Sequence, residues 1–141
     1  SYVDPLGSLW STYGTIMHHI LEEHGVDEEG WMIEEKMVLD FEGTKLGGTL
    51  DRFNPSTGVG QDWKVTSAYG VKQMLQQGVK AAKREYWIQA NTYRYLLYKL
   101  FGYEATSWEL VLICRDYNAR QHAAFRPIEV IQVELMSFGI D

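Results

Sequence analysis

A chain of 141 residues, 45% apolar, with a formal charge of −6 and one cysteine, has the length and composition of a single domain (1–141) with a sizeable core. No stretch approaches the roughly eighteen apolar residues of a membrane span. The lone Cys114 excludes an internal disulfide, a cysteine-built zinc site and a four-cysteine iron–sulfur cluster.

Apolar residues at helical spacing (Leu9, Tyr13, Ile16, Ile20, Leu21) predict a first helix over 8–24, capped by Ser8 or Ser11 and ended by Gly25. Residues 31–42 read as a strand and Gly43-Thr44 as a turn. Strands over 46–53 and 59–66 follow, joined by the turn-forming run Asn54-Pro55-Ser56-Thr57-Gly58. Gly70 is expected to break the chain before a basic helix over 71–82. The longest helix runs from Arg84 to Phe101, with Gly102 as its C-cap. A nearly continuous apolar strand covers 107–115, and a last strand covers 121–133. Cys114 closes the apolar run Leu110-Val111-Leu112-Ile113 and reads as a buried structural thiol. A helical crossover before the fourth strand favours a parallel pairing. The expected fold is α/β, a mixed four- to five-stranded central sheet flanked by helices.

The segment from Gly47 to Lys64 carries the chemistry. A hairpin closed at Asn54–Gly58 lays Asp51 beside Asp62. Lys64 lies two residues past Asp62 and therefore shares its face. Two carboxylates and an ammonium on one patch suit a divalent cation, a phosphate and an attacking water. Asp51 and Asp62, with the backbone carbonyl of Trp63, would offer oxygens to Mg²⁺ or Mn²⁺. Charge is unevenly spread. Residues 63–103 hold seven basic residues against Glu85 alone, a net of +6, while residues 1–62 hold twelve acids against three bases. A basic middle third is the footprint of a phosphate-contacting surface.

Leu46-Gly47-Gly48-Thr49-Leu50-Asp51-Arg52-Phe53, then Gln61-Asp62-Trp63-Lys64-Val65-Thr66-Ser67, resembles the nuclease motif of the PD-(D/E)XK superfamily, most closely its RecB-like branch, which includes phage-type exonucleases. Gly14 to Glu22, containing His18, is similar to that branch's first helix, and Gln89-Ala90-Asn91-Thr92-Tyr93 to its Gln-x-x-x-Tyr helix. The resemblance implies a restriction-endonuclease-like αβββαβ core. It implies His18, Asp51 and Asp62 as metal ligands, Lys64 as the catalytic lysine, and Gln89 and Tyr93 at the site or the DNA. Glu35 matches an acidic position often seen in the first strand, and Glu34 is its equal by register. Leu50 stands where many relatives have proline, and the cluster cysteines of some CRISPR-associated members are absent.

The expected activity is metal-dependent hydrolysis of DNA, single- or double-stranded, by an exonuclease of repair, recombination or phage replication. A homo-oligomer, or an accessory helicase or recombination protein, is a candidate partner; no membrane is expected. The compartment would be the cytoplasm of a bacterium or a phage-infected host. The rival readings are a non-catalytic DNA-binding module and a structure-selective endonuclease. Residue by residue, plainer roles exist: His18 as a helix-face histidine, Lys64 as an edge-strand charge, Tyr93 as core, and the tyrosines at 86, 95, 98 and 103 as packing groups or base-stacking platforms. His19, His24 and His122 read as bystanders.

Overall fold

Two turns shape the meander that begins the described part of the chain. In this computed structural model residues 30–118, 120 and 124–138 are described. Strand β1 (Met32–Phe41) turns into β2 (Thr44–Asn54) through Glu42 and Gly43, both at positive φ (50° and 81°), which matches the twist of a tight hairpin. Strand β3 (Val59–Thr66) follows a turn in which Asn54 Oδ1 accepts the Ser56 and Thr57 N–H groups at 2.9 and 3.3 Å. The remaining elements are α1 (Ala68–Gln77), α2 (Val79–Ala82), α3 (Arg84–Phe101), β4 (Ser107–Cys114) and β5 (Ile128–Gln132).

The strands form a five-stranded mixed sheet in the order β1-β2-β3-β4-β5, so the fold is α/β as expected. The β3–β4 pair is parallel and every other pair antiparallel. Lys64 lies on β3 beyond its last pair with β2, so its backbone is laddered to β4 alone and this stretch of β3 is a local edge. On the helix side, Leu50, Leu110, Leu112 and Trp108 pack against Val71 and Met74 of α1 and Ala90, Leu96 and Leu97 of α3. Each Leu, Val or Met among them taken fully out of water contributes about 1.5–3 kcal/mol. Cys114 belongs to this core, and burial pushes its thiol pKa up, as a structural cysteine requires.

Three boundaries differ from expectation. Gly70 does not break the chain. It lies in the first turn of α1, whose cap is Ser67, and an added Cβ there would meet Thr66 Oγ1 at 2.5 Å, so the glycine serves close approach. The break falls at Gly78 (φ 86°), which splits the expected helix over 71–82 into α1 and α2. Among the described residues the last strand is Ile128–Gln132, since Phe125 turns inward onto Tyr117 with ring centroids 5.7 Å apart. The helix over 8–24, with His18, His19 and His24, and also His122, lie outside the described residues. No helix among the described residues is long and apolar enough to cross a membrane.

Beyond β5 the chain lies along α3 as a strap. Trp87 Nε1 donates to the Glu134 carbonyl (2.8 Å), Met136 N donates to Asn91 Oδ1 (2.8 Å), and Arg94 Nη1 donates to the Met136 carbonyl (2.8 Å). The Glu134 carboxylate accepts the Val79 and Lys80 N–H groups at 3.1 Å each, satisfying the start of α2.

The β2–β3 ladder is short. It runs from Asn54↔Val59 to Arg52↔Gln61 and stops. Residues 44–50 of β2 pair with β1 alone, making a two-stranded arm on which Tyr93 of α3 rests at Gly48. Gly60, on β3, faces Trp108, and an added Cβ would lie 2.2 Å from the indole ring. Gly60→Ala is expected to destabilise the fold by about 1–3 kcal/mol through overpacking. Urea denaturation should show a lower midpoint with an unchanged slope.

Candidate active site

The site stands where the β2–β3 ladder parts. The pair after Arg52↔Gln61 in register is Asp51 and Asp62, but no ladder bond joins them. Instead Asp51 Oδ2 accepts the Trp63 N–H at 2.8 Å. A side-chain acceptor thus replaces a strand carbonyl, and the two aspartates come close where the strands separate.

Asp62 is 2% exposed, on a central strand between β2 and β4. Its Oδ2 accepts the Trp108 indole N–H at 3.1 Å. Its pKa is raised to about 6, first by burial and then by the Asp51 charge, while Lys64 and the Trp108 bond pull the other way. The site thus sets a buried carboxylate beside a half-buried one, with one nearby ammonium.

That ammonium is fixed from α3. Lys64 Nζ donates to Gln89 Oε1, and Gln89 Nε2 donates to the Tyr93 hydroxyl at 3.1 Å. The bond to Lys64 determines which way the Gln89 amide points, since only its oxygen accepts. Gln89 and Tyr93 are one turn apart on α3 and face the sheet together. Tyr93 is buried at 6% exposure, tilted against Trp108 at 6.3 Å between ring centroids. Burial raises its pKa first, and the Asp62 and Asp51 charges raise it further, so both carboxylates lie within its electrostatic reach. Tyr93 is thus core and site at once.

The five side chains Asp51, Asp62, Lys64, Gln89 and Tyr93 come together as the sequence indicated. Glu34 and Glu35 do not complete a ligand set. Glu34 is in line with Asp51, between Ile33↔Arg52 and Glu35↔Leu50, but it is exposed, with φ 49°, and is skipped by the ladder. Among the described residues no three His, Cys, Asp or Glu side chains gather as a metal-binding group. The oxygen-only pair still fits a hard divalent cation, because a positive charge there would relieve both the burial of Asp62 and its repulsion by Asp51. Further ligands would be the Trp63 carbonyl, water, or a side chain outside the described residues such as His18. A cavity of about 300 Å³ bounded by Arg94, Tyr98, Tyr103 and Met136 includes none of the five side chains.

Trp108 escaped the sequence reading, although a Gly60–Trp108 pair, small against large on neighbouring strands, is the signal that would place it. Lys83 and Tyr86 also escaped as a unit, since their meeting depends on how α2 and α3 join.

No family model and no curated protein matches the chain. A solved crystal structure of SSO0001 is similar over 94% of this chain, with a TM-score of 0.58 and 14% identity. The match takes in 53% of that protein, so the chain spans about half its length. A likeness at this identity shows the shared fold alone.

The raised pKa of Asp62 sets a pH dependence. The native state holds this proton more tightly than an unfolded chain does. The group's contribution is complete below pH ~4 and is lost as pH rises through about 6, at a cost of about 2–3 kcal/mol in metal-free protein. Asp62→Asn keeps an acceptor for Trp108 and removes the charge. Thermal melts in EDTA should find this variant more stable than the parent at pH 7.5 and equal to it near pH 4. Mn²⁺ should raise the parent's melting temperature and leave the variant's unmoved.

Proposed function

We propose that this chain is a divalent-metal-dependent DNA nuclease of the PD-(D/E)XK type, RecB-like branch, acting as an exonuclease on phosphodiester bonds. The observation that carries the reading is the Asp51–Asp62 pair at the parted ladder, with Lys64 held beside it by Gln89. Asp51, Asp62 and the Trp63 carbonyl would hold Mg²⁺ or Mn²⁺, with His18 as a further ligand. The bound ion would supply charge neutralisation at the phosphate and a water of lowered pKa.

The chain's own groups do the rest. Lys64, beside two carboxylates, offsets charge that builds on a phosphate and positions the attacking water. Gln89 prevents the flexible lysine stem from folding away. Tyr93 holds Gln89 and closes the inner wall against bulk water. Scission by water would leave a 5′-phosphate and a 3′-hydroxyl, as in the family this chain resembles. The DNA would be handled in the cytoplasm of a bacterium or a phage-infected cell, with further copies of the chain or a helicase or recombination protein as partners.

Purified protein should degrade linear single-stranded DNA in Mn²⁺ or Mg²⁺ and be silent in EDTA. Lys64→Ala and Asp62→Asn should each lower the rate by about a hundredfold or more. Asp51→Asn is the better probe of the first aspartate than alanine, because it retains an acceptor for the Trp63 N–H. A covalently closed circle should resist while its linear form is consumed; cutting of the circle would make the enzyme an endonuclease. DNA binding without cleavage in either metal would replace the enzyme by a binding module. Mn²⁺ should serve at least as well as Mg²⁺, since imidazole favours it; the reverse order would remove His18 from the ligand set.

A further inference from the structure

Four cations outside the carboxylate pair are organised by two neighbouring rings. Lys64 Nζ and Lys83 Nζ lie over the Tyr86 ring at 5.1 and 5.8 Å from its centroid. Lys80 Nζ and the Arg84 guanidinium lie over Trp87 at 4.6 and 5.8 Å. These distances are within the reach of a cation–π contact. The scaffold beneath is hydrogen-bonded through its backbone. Lys83 joins α2 to α3, its N–H donating to the Val79 carbonyl (2.7 Å) and its carbonyl accepting from Tyr86 and Trp87 (3.0 and 3.2 Å). Trp87 is pinned by its bond to the Glu134 carbonyl.

None of Lys64, Lys80, Lys83 and Arg84 forms an ion pair among the described residues. Lys64 faces Asp51 and Asp62. Outward from it, Lys80, Lys83 and Arg84 stand against Glu134, committed to the start of α2, and Glu85, whose charge acts on Tyr86 as does that of Arg115. The surface leading away from Lys64 is thus cationic, which favours a polyanion. The rings already carry charges, so a nucleic-acid base would meet ammonium and guanidinium groups before a free π face. Tyr86 thus differs from a base-stacking platform.

We propose that Lys83, Lys80 and Arg84, held on Tyr86 and Trp87, bind successive phosphates of a nucleic-acid strand leading to Lys64, reading backbone charge and not bases. The location of the reacting phosphate rests on the nuclease reading; the binding surface does not. The test is fluorescence-anisotropy titration of the whole chain with a labelled thymidine oligonucleotide in EDTA, where cleavage is blocked, over a series of salt concentrations. Lys80→Ala, Lys83→Ala and Arg84→Ala should each weaken binding by about fivefold and lower the slope of log K against log salt by about 0.7. Lys45→Ala, at the far hairpin, should do neither. Tyr86→Phe should bind as the parent does, whereas Tyr86→Leu should lose about threefold with the slope unchanged, because it removes the support and no charge. An abasic oligonucleotide of equal length should bind within about twofold of the thymidine one. Unchanged slopes in the lysine and arginine variants would overturn the proposal, as would a tenfold loss on removing the bases. Binding of this pattern with no cleavage in Mn²⁺ would remove the nuclease reading and leave the phosphate track; cleavage with parental slopes in all three variants would do the opposite.

Discussion

The burial of Asp62 beside Asp51 is the constraint around which the described residues are arranged. An isolated carboxylate on a central strand is expensive, and a second one next to it more so. The chain meets part of that cost with the Trp108 indole N–H and the Lys64 charge, and it leaves the remainder unpaid, as the raised pKa records. Sites that do chemistry are where folds tolerate such a deficit. The rest follows from it: a glycine at 60 to admit Trp108, a glycine at 48 to admit Tyr93, and a polar face on α3 to steady the lysine.

The opposite face of the sheet shows what an ordinary polar arrangement looks like in the same strands. Arg52, Gln61, Glu109 and Gln132 form a row across β2 to β5. Gln61 donates to one Glu109 oxygen at 2.8 Å and Gln132 to the other at 2.9 Å. There the carboxylate receives a neutral donor at each oxygen. Asp51 and Asp62 differ in facing one another, and that contrast separates a structural carboxylate from a candidate reactive one.

Much of this was legible before any coordinates. Asn54-Pro55-Ser56-Thr57-Gly58 is turn chemistry, and once the turn is placed, register alone brings Asp51 to Asp62 and puts Lys64 on the Asp62 face. The i, i+4 spacing of Gln89 and Tyr93 likewise determined their common face. What could not be read were features settled by tertiary contact. Gly70 resembles a breaker locally, but Ser67 capping and the nearness of Thr66 put it inside a helix. Residues 124–127 have strand-like neighbours, yet Phe125 finds Tyr117 and leaves the sheet. The ring-held cations depend on a junction at Lys83 that no periodicity signals. Glu34 stands in line with Asp51 but is exposed at φ 49°, and among the described residues neither it nor Glu35 gathers with the pair as a metal-binding group.

The early end of the β2–β3 ladder has a mechanical consequence. Residues 44–50 of β2 are paired only with β1, so this arm joins the wider sheet through Arg52–Asn54 and the Asp51–Trp63 bond, and it rests on α3 at Tyr93. Asp51 follows the arm directly, and Asp62 belongs to the body. The carboxylate pair therefore straddles the joint between arm and body, about 20–25 Å of strand from the far hairpin by the rise per residue.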